Sequence, residues 1–431
     1  MTALIDLLYL ALGLLLSPFW LTRMALKGKL RTDWPGRFGR AGIAPREDGR
    51  PRLLIHAVSV GEVNSVRQLV ERLDQEFDIV ISATTDTGFA RATELYAGSA
   101  TVVRYPFDFA FAVRRFLNAI RPDAVALVEL EIWPNFTAEC RRRDIPVVVV
   151  NGRLSEPSFE GYRRIRPFVR PTFERLHTVA VQNELFAERF RQMGVDADRI
   201  RVLGTMKWDT AEIADDVAGA DDLAAELGVD PRRPVVVAGS TGPEEEALIH
   251  DATPADVQLI IAPRKPERFD EAAATMPGCV RRTDTAKGGT PHFTEETRPT
   301  RFLLDTIGEL RKAYALATVV IVGRTFVELH GSDMIEPVAL GKATVVGPSV
   351  TNFDTVVKAL LEGGGLVQIE REELAATIRR LLDDEAERRQ LAEAGRAVVQ
   401  ANQGATERHA ELIREIVREH RATAATPAPV A

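Results

Sequence analysis

Leu53-Leu-Ile-His56-Ala-Val-Ser59-Val-Gly61-Glu62 passes from an apolar run through a glycine turn to a carboxylate. Leu53 to Ala57 is short and lacks polar alternation, so it reads as a strand buried on both faces. A glycine and an acid directly behind it open a helix at the carboxyl end of that strand, where open parallel sheets bind their ligands. Similar β-branched runs recur at Ile79 to Ala83, Val102 to Tyr105, Ala124 to Val128, Val147 to Val150 and Val179 to Gln182. Amphipathic stretches stand between them, among them Glu62 to Arg72, Phe109 to Ile120 and Glu184 to Met193. Repeated βα units require a parallel sheet covered on both faces, hence a Rossmann-like domain.

A polar, acidic stretch from Asp209 to Pro231 breaks the pattern, and a second series follows at Val235 to Ala238, Gln258 to Ala262, Phe302 to Leu304, Val319 to Val322 and Thr344 to Val346. The expected organisation is a membrane anchor and basic flank over 1–31, a first Rossmann-like domain over 32–210, a linker over 211–230, a second such domain over 231–403, and a C-terminal helix with a disordered tail over 404–431. Thr283 to Pro299 is rich in Thr, Gly and Pro and reads as a surface loop. The length of 431 residues suits two domains rather than one. A net charge of −7 argues against nucleic acid as a partner. Cys140 and Cys279 stand alone, so neither a disulfide framework nor a structural zinc site is indicated.

From Ala3 to Thr22 the chain is apolar except for Asp6 and Ser17, enough for about 30 Å of helix, the thickness of a hydrocarbon core. Arg23, Lys27, Lys29 and Arg31 follow it and nothing basic precedes it, which inverts the order of a secretory signal and keeps the remainder in the cytoplasm. Membrane attachment is expected, with spanning and interfacial insertion both open and a buried core helix as the alternative.

Polar clusters stand at successive strand ends. Glu62 is placed to accept a proton from an attacking hydroxyl, although a first-turn Glu also complements a helix dipole. Glu129 and Glu131 end the fourth strand on one side of it, where unpaired acids are costly unless they meet a ligand or donors. Pro134 fits the first turn of the helix that follows. Lys207 in Gly204-Thr-Met-Lys207-Trp-Asp209 is available to neutralise developing charge or is simply solvated. His56 reads as a core histidine. In the second half, Ala238-Gly-Ser240-Thr241-Gly242 suggests an anion cradle of backbone N–H groups, and Arg264 with Arg268 suggests a phosphate clamp. Asp305-Thr-Ile-Gly308-Glu309-Leu310 and Ser332-Asp333-Met334-Ile335-Glu336 follow later strands, with Glu336 suited to ribose hydroxyls.

Together these segments resemble the Kdo transferases, which move 3-deoxy-D-manno-oct-2-ulosonic acid (Kdo) from CMP-Kdo onto the lipid A precursor of lipopolysaccharide. The carriers are HAVSVGE, TTDTGFA, YPFDFAFAVRRFL, ELEIWPN, NGRLSEPSFEGY, GTMKWD, AGSTGPEEE, PRKPERF, DTIGEL and HGSDMIEP, in family order over nearly the whole chain. The resemblance implies a GT-B fold, two Rossmann-like domains facing across a cleft, with the acceptor on the first and CMP on the second. It implies an inverting transfer with no metal or other cofactor, onto lipid IVA, at the cytoplasmic face of the inner membrane. Glu62 matches the general base, and Glu129 and Lys207 match residues that stabilise the transition state. Ser240, Thr241, Pro263, Arg264, Gly308 to Leu310 and Asp333 to Glu336 match the donor-binding segments. Ser59, Gly61, Glu131, Arg163 and Arg164 are the acceptor-side candidates, the arginines for lipid A phosphates. The chain departs from the family pattern in having Gly242 where a His is usual after the Ser-Thr pair, and His330-Gly-Ser332-Asp333 where Gly-Gly-His-Asn is usual, so that Asp333 replaces an amide by an acceptor-only carboxylate. A nucleotide-sugar epimerase of the same architecture and a non-catalytic membrane-associated descendant are the alternatives.

Overall fold

The computed structural model describes residues 2–26, 32–44, 49–288 and 298–425. They form two compact units, residues 1–209 with 404–431, and residues 210–403.

The sheet of the first unit holds seven strands: β1 (Arg52–His56), β2 (Asp78–Ala83), β3 (Thr101–Arg104), β4 (Ala124–Val128), β5 (Val147–Gly152), β6 (Thr178–Val181) and β7 (Ile200–Val202). Their order is β3-β2-β1-β4-β5-β6-β7 and every pair is parallel. Chain order reverses between β1 and β4, so the residues behind these two strands flank the crevice where such sheets bind ligands. One face packs Leu53, Ile55 and Val63 against Ala405, Ile413, Ile416 and Val417 of the C-terminal helix Ala405–Ala425. That helix therefore belongs to the first unit. Asp209 fixes its start, accepting the Gly404 and Thr406 N–H groups at 2.6 Å each.

The second unit repeats the plan with β8 (Val235–Thr241), β9 (Gln258–Pro263), β10 (Val280–Arg281), β11 (Arg301–Leu303), β12 (Val319–Val322), β13 (Ala343–Val346) and β14 (Val367–Gln368), in the order β10-β11-β9-β8-β12-β13-β14, all parallel. Its reversal lies between β8 and β12. The stretch 211–230 is more than a linker: helix Ala220–Leu227 buries Ala220, Leu223, Ala224 and Leu227. The stretch read as a loop from Thr283 carries a helix, Arg282–Gly288, because Arg282 pairs with Glu226 and Glu309. Residues 289–297 of that loop lie outside the described residues, as do 27–31 of the basic flank and the tail 426–431.

The N-terminal apolar run forms one helix, Thr2–Leu26, with Pro18 inside it. Among the described residues no helix is long and apolar enough to cross a membrane. Asp6 has a structural reason: it accepts from the Ala110 N–H at 3.1 Å, at the start of helix Ala110–Ile120, and from Asn135 Nδ2 at 2.9 Å. Tyr9 donates to Asp108 at 3.2 Å. These polar contacts dock the first turns on the first unit, while Leu8, Leu12, Leu14, Leu15 and Phe19 remain exposed.

Candidate active site

Behind β1, Ser59 caps helix Val60–Ser65 and Glu62 sits in its first turn. The Glu62 carboxylate accepts from the Val58 N–H at 2.8 Å and from the Ser59 hydroxyl at 2.9 Å. Burial pushes its pKa up to about 7; the like charges of Glu129 and Glu131 add to the rise, and the Val58 and Ser59 hydrogen bonds oppose it. A Cβ on Gly61 would come no closer than 3.8 Å to any neighbour, so packing does not demand a glycine there and the helix start is left open.

Behind β4, Glu129 adopts a left-handed backbone with φ +59°, uncommon for a side-chain-bearing residue and frequent at functional sites. Its N–H donates to the Val150 carbonyl at 3.0 Å and its own carbonyl accepts from the Arg153 N–H at 3.3 Å, which ties the turn to β5. Asp108 secures the next helix, Pro134–Arg142, by accepting from the Asn135 and Phe136 N–H groups at 2.9 and 2.8 Å. Glu131 accepts from Trp133 Nε1 at 3.1 Å, and burial raises its pKa.

Glu62, Glu129 and Glu131 converge on one open cavity of about 180 Å³, completed by Arg153, Ser155 and Ser158. The last three carry no role in the sequence reading, although NGRLSEPS follows β5 and its position behind a strand is the signal that finds them. Lys207 does not line this cavity. It is half-buried in the turn Met206–Thr210, and Asn151 at the end of β5 accepts the Met206 N–H at 3.2 Å. Arg163 is exposed and paired with Glu160 at 2.7 Å, and Arg164 is exposed on the same helix. His56 is a core residue: its ring stacks on Tyr105 at 3.7 Å and burial lowers its pKa to about 3.

In the second unit the strand ends of β8, β9 and β12 meet. Ser240 takes φ +57° and Arg324 φ +61°. A Cβ on Gly323 would fall 2.4 Å from the Thr241 Cα, so only glycine lets these turns touch. Glu245, fully buried, accepts from the N–H groups of Gly242, Arg324, Thr325 and Phe326 at 2.5 to 2.9 Å. The Gly242 N–H expected to cradle an anion is therefore already held by the chain itself. Thr241 donates its hydroxyl to Glu246, and Arg268 is bound by Glu246 and Glu271, so Arg268 does not join Arg264 as a phosphate clamp. Arg264, behind Pro263, remains exposed.

Glu309 is likewise engaged. Burial would raise its pKa, but hydrogen bonds from Thr306 and Arg282 leave it below the usual range. Gly308 takes φ +91° and Leu310 starts helix Leu310–Leu316. Asp305 is spent on Arg281 and Thr283. The buried Tyr314 hydroxyl shows which groups converge: burial first, then Glu336 and Asp333, raise its pKa, while Arg264 lowers it. Asp333 accepts the Ile335 N–H at 2.8 Å and so organises helix Ile335–Ala339, behind Met334. That bond needs only an acceptor oxygen, which a carboxylate supplies as well as an amide does. Glu336 lies 3.7 Å from Arg311, and burial raises its pKa.

Two parallel α/β units with polar clusters at both reversal points have the fold of two-domain glycosyltransferases. A glycosyltransferase structure from Rickettsia africae shares that fold at a TM-score of 0.56 and 12% identity, over 86% of this chain and 99% of that one. Residues 32–210 match the family profile described as 3-deoxy-D-manno-octulosonic-acid transferase (kdotransferase). The 3-deoxy-D-manno-octulosonic acid transferase of Bordetella pertussis is 32% identical, with 92% of this chain and 95% of the relative covered. That of Haemophilus influenzae is 28% identical over 88% and 89%. The chain belongs to the 3-deoxy-D-manno-octulosonic acid transferase family and is a glycosyltransferase.

Proposed function

We propose that this enzyme transfers Kdo from CMP-Kdo to a sugar hydroxyl of the lipid A precursor lipid IVA, with Glu62 as general base. The observation that carries the assignment is the Glu62 carboxyl itself: half-buried beside two further acids, open to a cavity, and poised at about 7 rather than in the usual carboxylate range. A base poised near neutral pH combines a populated deprotonated form with useful proton affinity.

Glu62 removes the proton of the acceptor hydroxyl, the oxygen bonds to the anomeric C2 of Kdo, and the C2–O bond to the CMP phosphate breaks with inversion. The first unit takes the acceptor and the second takes CMP, whose phosphate charge falls to Arg264 and whose ribose falls to Glu336. Lys207 neutralises developing charge, and the transfer needs no metal or other cofactor. The N-terminal helix attaches the enzyme to the cytoplasmic face of the inner membrane by lying in the interface. The docked Asp6 and Tyr9 support an interfacial over a spanning arrangement, because their polar contacts hold the first turns against the folded unit.

The test is release of CMP from CMP-Kdo generated in situ, with and without lipid IVA, following acceptor mass. Acceptor-dependent release with a Kdo mass increment supports the proposal. Folded protein that releases CMP without an acceptor product, or not at all, overturns it.

A further inference from the structure

Beside the N-terminal helix lies a second cavity of the first unit, about 690 Å³ and well within the size range of small-molecule sites. Its walls are Leu10 and Gly13 of the helix together with Trp34, Phe38, Phe107 and Phe109. The aromatic rings support one another, with Trp34 and Phe38 stacked at 6.3 Å, Phe38 and Phe107 edge-on at 5.8 Å, and Phe109 edge-on to Tyr9 at 5.9 Å. Its polar lining residues are Thr32, Arg37, Thr84, Thr85 and Asp86, and Arg37 donates to the Thr84 carbonyl at 2.5 Å and lies over the Phe107 ring. Apolar surface gathered in an open cavity of this kind marks a site for an apolar ligand or surface.

Its position says what enters. The lining residue Thr85 donates both its hydroxyl and its N–H to the Val58 carbonyl, at 2.9 and 3.1 Å. The Val58 N–H in turn holds the Glu62 carboxylate. One residue thus separates the cavity lining from the base, on the acceptor side of the reaction. We infer that this cavity receives a fatty acyl chain of the lipid acceptor and fixes the register of its sugar hydroxyl at Glu62. The inference rests on the acceptor being a lipid, as proposed above. The occupant is an acyl chain of the substrate rather than bulk bilayer, because the outward leucines of the same helix, such as Leu15 at 75% exposure, face away from the cavity lining and are the surface left for the bilayer.

Gly13 offers the test. A Cβ there would meet nothing within 4 Å, and replacing glycine favours the helix, so Gly13→Phe fills the cavity without disturbing the fold. The full chain in mild detergent is titrated with a long-chain fluorescent fatty acid, a readout that needs no turnover. The wild type binds it saturably, Gly13→Phe binds about tenfold more weakly, and Leu15→Ser binds as the wild type does while losing affinity for anionic phospholipid vesicles. With lipid IVA as acceptor, Gly13→Phe raises KM about tenfold and leaves kcat within about twofold, as expected for lost ground-state binding. Absence of saturable fatty-acid binding by the wild type, or equal binding by Gly13→Phe, overturns the inference whatever the enzyme transfers. A loss of vesicle binding by Gly13→Phe in step with its loss of fatty-acid binding assigns the cavity to the bilayer and overturns it as well. Failure of the transferase reading would show separately, as fatty-acid binding without acceptor-dependent CMP release.

Discussion

Glu62 and Glu245 occupy equivalent places in the two units, each in the first turns of the helix behind the strand at which chain order reverses. Their surroundings make them opposites. Glu245 takes four backbone N–H groups from the turns behind β8 and β12 and has no exposure left. Glu62 takes one backbone N–H and one hydroxyl, and faces a cavity with two further acids. A carboxylate whose lone pairs are filled by the backbone is scaffold, whereas one left with spare acceptor capacity beside like charges is available for proton transfer.

Exchange of each carboxylate for its amide breaks the two roles apart. Glu62→Gln is expected to lower turnover by roughly 10³-fold, within the range of general-base catalysis, while CMP affinity changes less than about twofold. Steady-state CMP release and a CMP titration measure both. The same variant should be more stable than the wild type at high pH. The folded-state pKa of Glu62 is raised, so from the unfolded carboxyl range near 4.3 up to about 7 the folded chain keeps a proton that the unfolded chain has lost, and stability falls as pH rises through that window. Gln removes this cost, so thermal unfolding near pH 8 should show a gain of roughly 1 to 3 kcal/mol that vanishes near pH 4. Glu245→Gln is expected to do the reverse. Its amide turns N–H groups toward N–H groups, and the second unit should lose about 3 kcal/mol in chemical denaturation.

Smaller effects sharpen the contrast within the second unit. Arg264→Ala should weaken CMP roughly tenfold by calorimetry, the worth of one charge-assisted phosphate contact, and Arg268→Ala should instead lower stability, because Arg268 serves Glu246. Asp333→Asn should change CMP affinity less than about twofold, since either side chain offers the oxygen that accepts the Ile335 N–H. A larger change in the same titration would mean that Asp333 acts through its charge.

What the sequence made legible follows from range of interaction. The central strands announce themselves because both faces are buried and the composition shows it. The edge strands Ile200–Val202, Val280–Arg281 and Val367–Gln368 are two or three residues long and are strands only because a neighbour pairs with them. Helix Arg282–Gly288 depends on Glu226 and Glu309, and the return of the C-terminal helix to the first unit depends on Asp209, none of which is near in sequence. Asp6 interrupts an apolar run, and its reason lies in donors from Ala110 and Asn135, more than 100 residues away in sequence. Residue types at strand ends pick out Glu62, Glu129 and Glu131, which the fold brings to one cavity. They were not enough to separate Arg264 from Arg268, or to see that Glu245 consumes the N–H groups of the expected cradle, because only three-dimensional pairing distinguishes a free charge from a spent one.

The most direct test of Glu62 as the base is the pH dependence of kcat/KM for the acceptor. The rate should fall about tenfold per pH unit below about 7, with the limb moved to lower pH in Glu129→Gln because a like charge is removed. A profile that stays flat down to about pH 5 would contradict the assignment.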